Sequence, residues 1–290
     1  MNALIFGANG QDGFYLELEC KERGINVVPV SRTGNCIHTD VSSYQHVKEL
    51  ISQYNPAYIF HLAANSSTRH ETLFENHATI CTGTLNILEA TKIHCPNAKV
   101  FITGSGVQFQ NNGLPISEND PFAANSPYAI ARIQSVYAAR YYRSLGIKTY
   151  VGYLFHHESP HRKEKHVSKM IASAVRRIAE GSNEKIQVGD TSIEKEWTFA
   201  GDVVKGILTL IEQQDVYEAV IGSGIAYSIQ RWLEKCFTLI GKDWRDHVIQ
   251  MDGFVPEYYR LVSNPATIFQ LNWLPKIGLD ELAEQMIYLP

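Results

Sequence analysis

The amino-acid sequence predicts an α/β protein, a doubly wound parallel sheet followed by a smaller lobe of mixed α and β elements. Three observations carry the prediction. A glycine-rich turn, Gly7-Ala-Asn-Gly10-Gln-Asp-Gly13, lies between the apolar run Ala3-Leu4-Ile5-Phe6 and a helical pattern through Tyr15, Leu16 and Leu18. Apolar runs and helical patterns then alternate as far as Leu154. Beyond Phe155 the elements become shorter and more mixed.

Strand, glycine-rich turn and helix together form the arrangement that seats a dinucleotide pyrophosphate on a helix N-terminus. Glycines keep such a turn tight and let backbone approach phosphate without a Cβ between them. The spacing here is G-x-x-G-x-x-G, so an ordinary glycine-rich loop is the competing reading. The turn nominates Gly7, Asn9, Gly10, Gln11, Asp12 and Gly13 as cofactor residues.

The second apolar run, Asn26-Val-Val-Pro-Val30, reads as a buried parallel strand. It ends in Ser31-Arg32, and Arg32 stands 19 residues after Gly13, where an acidic residue would bind the ribose hydroxyls of NAD. An Arg there suits the 2′-phosphate of NADP, so NADP is expected over NAD; a solvated loop Arg is the alternative. Asp40 and Val41 come next as a short turn placed to meet the adenine. Residues 44–53 form an amphipathic helix with Val47, Leu50 and Ile51 inward.

Tyr58-Ile-Phe-His61 is the next strand, and it leads into Leu62, Ala63, Ala64, Asn65 and Ser66. Small residues after a parallel strand line the crevice at its carboxyl end. A long helix over 72–93 carries Ile80, Leu85, Leu88 and Ala90. The strand Val100-Phe-Ile-Thr103 runs into Gly104-Ser105-Gly106. Ser126-Pro127-Tyr128 opens a second long helix with Ile130, Ala131, Val136 and Tyr137, and Lys148–Leu154 is a further strand. Such alternation is the signature of a Rossmann sheet.

In the second half, a helix is expected over 166–180, a short strand over Ile186–Gly189, a helix over 202–213 and a strand over Ala219–Gly222. Ser228 caps a helix through Trp232 and Leu233. The expected organisation is a cofactor domain over 1–155, joined by 200–222, and a substrate lobe over 156–290. No linker separates the two, so they are expected to share an interface.

Composition narrows the function classes. Of the 290 residues, 44% are hydrophobic, enough for a packed core, and the net charge of −4 offers no global attraction to nucleic acid or anionic membrane. There is no apolar run long enough for a transmembrane helix and no signal-peptide pattern. Cys20, Cys36, Cys81, Cys95 and Cys236 are scattered and odd in number, which suits reduced thiols in the cytoplasm. The adjacent His156 and His157 point in different directions and no other ligand cluster joins them, so no metal site is expected.

The residues of the long pattern also carry a family resemblance. Gly10-Gln-Asp-Gly13 with Tyr15-Leu16, His61-Leu-Ala-Ala64, Gly83-Thr84, Leu88-Glu-Ala90, Ser126-Pro-Tyr128-Ala, Leu154-Phe-His-His-Glu-Ser-Pro160, Trp197, Asp202-Val203 and Tyr227-Ser228 span most of the chain. Together they resemble the extended short-chain dehydrogenase/reductases, and most the GDP-mannose 4,6-dehydratases, which have Asn where His156 stands.

The resemblance implies a Tyr-x-x-x-Lys pair on one helical face, in which the family's Lys holds the nicotinamide ribose and favours the ionised Tyr. The matching positions are Tyr128 and Arg132; Arg keeps the charge but changes shape and reach. The family's catalytic Ser or Thr falls at Gly104 and its proton-moving carboxylate at Gly106. Thr103 and Ser105 are the hydroxyls left to polarise a sugar oxygen. Without an acid in this loop, a reductase, dehydrogenase or epimerase reaction is expected over dehydration, and a cofactor-binding homologue without catalysis is the alternative.

The resemblance further implies Phe155 beside the cofactor. It implies a nucleotide-diphosphate sugar, with a GDP-sugar favoured, held by Asn65, Ser66, His156, His157, Arg162, Lys169, Val188, Lys195 and Glu257. His161-Arg162-Lys163 is placed either to meet the diphosphate or to form a solvated basic face. The family's Arg-Pro pair becomes Phe254 and Val255, with Arg260 one turn on. The stretch Ser31–Asp40 is too short for the family's interlocking loop, so a homodimer through helices 72–93 and 127–144 is expected in place of a tetramer.

Overall fold

The structure, a computed structural model, describes residues 1–289; the last residue of the expected substrate lobe, Pro290, lies outside them. The first half alternates β1 (Asn2–Phe6), α1 (Gln11–Glu22), β2 (Asn26–Ser31), β3 (Ile37–His38), α2 (Tyr44–Tyr54) and β4 (Tyr58–His61). It continues through α3 (Leu73–Asn76), a π-helical turn (His77–Thr82), α4 (Gly83–His94), β5 (Lys99–Ser105), α5 (Pro127–Ser144) and β6 (Lys148–Leu154). The second half holds β7 (His157–Glu158), α6 (Val167–Ala179), β8 (Ile186–Val188), β9 (Glu194–Glu196), β10 (Thr198–Phe199), α7 (Ala200–Ile211) and β11 (Glu218–Ile221). It ends with β12 (Ala226–Ser228), α8 (Ile229–Thr238), β13 (Val248–Gln250), β14 (Arg260–Leu261), α9 (Ala266–Gln270) and α10 (Leu279–Tyr288).

Seven strands form one sheet in the order β3-β2-β1-β4-β5-β6-β11, and every neighbouring pair is parallel. The first six reproduce the 3-2-1-4-5-6 order of the dinucleotide-binding fold, so the crevice opens where the order reverses, between β1 and β4. The central strands are buried on both faces, which is why their sequences read as continuous apolar runs. One face packs on α2, α4 and α5, through Val47, Leu50, Ile51, Leu88 and Val136. The other packs on α1, α7 and α9, through Leu16, Val203, Ile207 and Ile268. A separate core joins α6, α8 and α10 around Trp197 and Trp232, whose rings stack at 4.7 Å.

α7 and β11 return to the sheet, and so do Leu261, Ile268 and Trp273 from the last third of the chain. Ser126 caps α5 by accepting from Ala129 N–H, with Pro127 at the first helical position, and Ser228 caps α8 by accepting from Arg231 N–H.

The helix expected over 72–93 is interrupted by the π turn, whose wider winding changes the phase of the α4 residues after it. Ile80, Leu88 and Ala90 are buried, but Leu85 faces outward, as do Ile130 and Tyr137 on α5.

Candidate active site

β1 ends at Gly7, whose backbone is left-handed at φ 94° and lies against Ala63 at the end of β4. A Cβ on Gly7 would stand 2.6 Å from Ala63 N, so a side chain there would push the two strand ends apart. Gly10 is the N-cap of α1 and supplies no side chain to cap its first N–H groups. The carboxyl ends of β4, β5 and β6 deliver Leu62, Thr103 to Ser105, and Leu154 with Phe155 to the same crevice. Segments after β6 close the other side with Arg162, Lys195 and Glu257, and the cavity has a volume of about 550 Å³.

The expected residues divide in two. Gly7, Gly10, Gln11, Asp12, Gly13, Arg32, Leu62, Ala64, Asn65 and Ser66 line the cavity. Thr103, Ser105, Tyr128, Arg132, Phe155, His156, His157, Arg162, Lys195 and Glu257 line it too. The others stand back from it. Asn9 donates to Thr33 Oγ1, and the Asp40 carboxylate accepts from Ser42 N–H. Val41 is buried under Asn86, which donates to its carbonyl, and Ala63 lies behind Gly7. Lys169 Nζ donates to Pro160 O, and Val188 belongs to the core around Trp197 and Trp232.

Tyr128 sits in the first turn of α5 and is largely buried. The Arg132 guanidinium lies over its ring at 5.1 Å, and Arg132 Nη1 donates to Thr103 O at 2.6 Å. Arg132 is 2% exposed, so its charge is held inside the protein between the tyrosine ring and the end of β5. The Thr103 hydroxyl donates to His61 O at 2.8 Å and is thereby committed to the sheet. Burial and the nearby Arg132 charge lower the pKa of His61 to about 3, so its ring is neutral. Ser105 N–H donates to Gln108 Oε1 at 2.8 Å, which fixes the loop after β5.

That loop has no room at its glycines. A Cβ on Gly104 would meet the Tyr153 ring at 2.5 Å, and one on Gly106 would meet the Phe155 ring at 2.8 Å. Tyr153 is held in place by its hydroxyl, which donates to Glu218 Oε2 at 2.6 Å, and by the Phe109 ring at 4.9 Å. Aromatic rings thus fill the space where a side chain at either position would begin.

One charged network ties the glycine turn to the segment after β6, and a second lies within that later part of the chain. His157 Nε2 bonds to Asp12 Oδ1 at 2.8 Å and its Nδ1 to Phe155 O at 2.7 Å. Gln11 Nε2 donates to His157 O, and Ser159 donates to Gln11 Oε1. Further in, buried Glu158 accepts from Ser168 at 2.6 Å and pairs with Arg162 at 3.2 Å and Lys195 at 3.8 Å. Burial opposes the Glu158 charge, but Arg162, Lys195 and the Ser168 bond outweigh it and hold the carboxyl below its usual range. His156 is driven well below the ordinary imidazole value by burial and by Lys195 and Arg162, and its Nε2 meets the Tyr258 hydroxyl at 3.0 Å.

Three cavity residues carry no local signal in the sequence. Glu75 lies inside a helical pattern, Thr68 in a polar run and Tyr258 beside the expected Glu257. Thr68 donates to Glu257 Oε1, and Glu75 binds both Arg32 and Asn65. Tertiary folding brings Thr68 to Glu257 across 189 positions and Glu75 to Arg32 across 43. Among the described residues no cluster of three His, Cys, Asp or Glu is placed to hold a metal, and no helix is long and apolar enough to cross a membrane.

The parallel sheet, the glycine turn at its switch point and a Tyr on the helix facing it define an extended short-chain dehydrogenase/reductase. The family model of GDP-mannose 4,6 dehydratase matches residues 4–286, and the chain belongs to that family. GDP-mannose 4,6 dehydratase 1 of Arabidopsis thaliana is 27% identical over 98% of this chain and 88% of its own length. Among solved structures, RMD from Pseudomonas aeruginosa, complexed with NADPH, superposes with a TM-score of 0.87 at 20% identity, over 99% of this chain and 97% of that one. UDP-glucose 4-epimerase of Thermus thermophilus, in complex with NAD, superposes at 0.85 with 19% identity, over 99% and 98%.

Proposed function

We propose that the chain is an NADP-dependent enzyme that modifies a nucleotide-activated sugar at a hydroxyl or ketone, as a reductase, dehydrogenase or epimerase and not as a 4,6-dehydratase. One observation carries the reading. Tyr128 shares a cavity with the glycine turn, while Gly104-Ser105-Gly106 at the end of β5 offers no acid and has its glycine spaces filled by Tyr153 and Phe155.

The residues fit a dinucleotide. The close approach at Gly7 and the first turn of α1, which has no side-chain cap, suit a pyrophosphate, and Arg32 at the end of β2 suits a 2′-phosphate. NADPH and NAD in the two structural neighbours support a nicotinamide cofactor, which supplies hydride chemistry when bound. The family relatives support a GDP-sugar as substrate.

This chain's own groups then do the rest. Tyr128 exchanges the proton at the sugar oxygen. Arg132 keeps a positive charge against the Tyr128 ring, and with Thr103 committed to His61, Ser105 is the hydroxyl left in the loop to polarise that oxygen. Arg162 and Lys195 carry positive charge toward the diphosphate side.

Elimination of water asks for a further free acid/base group. None of the carboxylates lining the cavity belongs to the Gly104-Ser105-Gly106 stretch: Asp12 pairs with His157, Glu75 with Arg32, Glu158 with Arg162, and Glu257 accepts from Thr68.

A homodimer through α4 and α5 fits the exposed Leu85, Ile93, Tyr137 and Tyr141 on those helices. Five unpaired cysteines, four of them buried, suit the reducing cytoplasm.

The second reading, a cofactor-binding homologue without catalysis, is favoured by Arg132, whose guanidinium is turned to the Thr103 carbonyl inside the protein. Mixing the chain with NADPH and 4-keto nucleotide sugars, and tracking the absorbance of the reduced cofactor, separates the two. Oxidation with any of them supports the enzyme; tight NADPH binding with no oxidation supports the second reading. Arg32→Asp is expected to weaken NADPH far more than NADH, and equal losses would remove the NADP assignment.

A further inference from the structure

Arg32 does not stand free at the end of β2. Its Nη2 donates to Glu75 Oε1 at 2.8 Å, and the other carboxylate oxygen, Glu75 Oε2, accepts from Asn65 Nδ2 at 2.8 Å. Asn65 is itself oriented, because its Oδ1 accepts from Ser67 N–H at 3.2 Å. Arg32 comes just after β2, Asn65 comes after β4 and Glu75 lies on α3, and all three line the cavity that holds the glycine turn. The Arg32 and Asn65 bonds hold the Glu75 carboxyl below its usual range, so it is ionised at neutral pH. Asp40 is also near enough to feel the Arg32 charge, but its carboxylate is engaged by Ser42 and does not line the cavity.

A 2′-phosphate carries close to two negative charges at neutral pH and is best met by a guanidinium with its fork free. Here one arm of the fork is already occupied by a carboxylate. A 2′-hydroxyl makes no such demand. Resting on the reading that Arg32 receives the 2′-phosphate, we infer that Glu75 sets the preference between the phosphorylated and unphosphorylated dinucleotide, by occupying the arginine that the phosphate has to reach. Glu75 lowers affinity for NADPH and leaves NADH nearly untouched. The Arg32–Glu75 pair is half exposed, at 59% and 39%, so the bridge is weak enough to exchange and the site accepts both forms.

The test titrates the full chain with NADPH and with NADH, read by cofactor fluorescence and by calorimetry, neither of which needs turnover. Glu75→Gln is expected to tighten NADPH about three- to tenfold at low ionic strength, as removal of one charge within a few ångströms of a phosphate should. NADH should change less than about twofold, and added salt should shrink the gain. In an Arg32→Ala background, Glu75→Gln should lose most of its effect on NADPH. Unchanged or weaker NADPH binding, equal shifts for both cofactors, or the full effect without Arg32 would each overturn the inference. A parent chain that binds neither dinucleotide would instead remove the cofactor reading, and this inference with it.

Discussion

Asp12 and His157 join the glycine-rich turn to the segment after β6 through a 2.8 Å hydrogen bond between Oδ1 and Nε2. Burial alone would lower the His157 pKa, but the charge and hydrogen bond of Asp12 outweigh it, and the net shift is upward. Burial would likewise raise Asp12, but His157 prevails and its pKa is lowered. A raised histidine stabilises fully below its unfolded value of about 6.5 and loses that contribution as pH rises through its folded value. A lowered aspartate stabilises above its unfolded value of about 3.9 and loses that contribution as pH falls through its folded value. The pair is therefore strongest between about pH 4 and 6.5. Replacing His157 with Gln should cost about 1.5–3 kcal/mol near pH 6 and less near pH 9. Thermal unfolding across that range is the measurement, and a penalty independent of pH would sink the account.

The rings at Gly104 and Gly106 make a second prediction. Gly104→Ser brings a Cβ against Tyr153, whose ring is pinned by Glu218 and Phe109, and should destabilise the chain by about 1–3 kcal/mol. Gly106→Glu should likewise displace Phe155 and should not by itself create dehydratase activity. Urea titration reads the first effect, and conversion of GDP-mannose to its 4-keto product reads the second.

Tyr128→Phe should reduce turnover of the accepted sugar by about a hundred- to ten-thousandfold while NADPH binding is kept. Arg132→Lys, which retains a charge on α5, should lose less activity than Arg132→Met. The Met variant also leaves Thr103 O without its donor, at a cost of about 1–3 kcal/mol. Single-turnover rates beside cofactor titrations distinguish a loss of proton transfer from a loss of binding. Equal turnover for the parent chain and the Tyr128→Phe variant would dismiss the tyrosine from the chemistry.

Leu85, Ile93, Tyr137 and Tyr141 are 49%, 53%, 58% and 60% exposed, and a dimer would cover them. Leu85→Glu combined with Tyr141→Glu is expected to give a monomer in sedimentation analysis with the fold retained. An unchanged oligomeric state would place the interface elsewhere.

Much of the site is legible because its signals are local. Gly7 to Gly13 between an apolar run and a helix, and Ser126-Pro-Tyr128 opening α5, are encoded by a few adjacent residues and short-range backbone preferences. The apolar runs of β1, β4, β5 and β6 likewise show burial on both faces of a sheet. Leu85 escapes the same kind of reasoning, because one π turn shifts the helical period without a mark in the sequence.

Short-range periodicity and turn chemistry thus suffice for the sheet, the phosphate turn and the position of Tyr128, and these can be read from the chain alone. The company these residues keep is a tertiary matter. Arg32 meets Glu75 across 43 positions, and Asp12 meets His157 across 145, because strand order folds distant segments onto one crevice. The same packing turns Tyr153 and Phe155 toward Gly104 and Gly106 and seats Arg132 on the Thr103 carbonyl. No local period encodes such contacts, since they depend on which strand lies beside which and on how the side chains between them fill space.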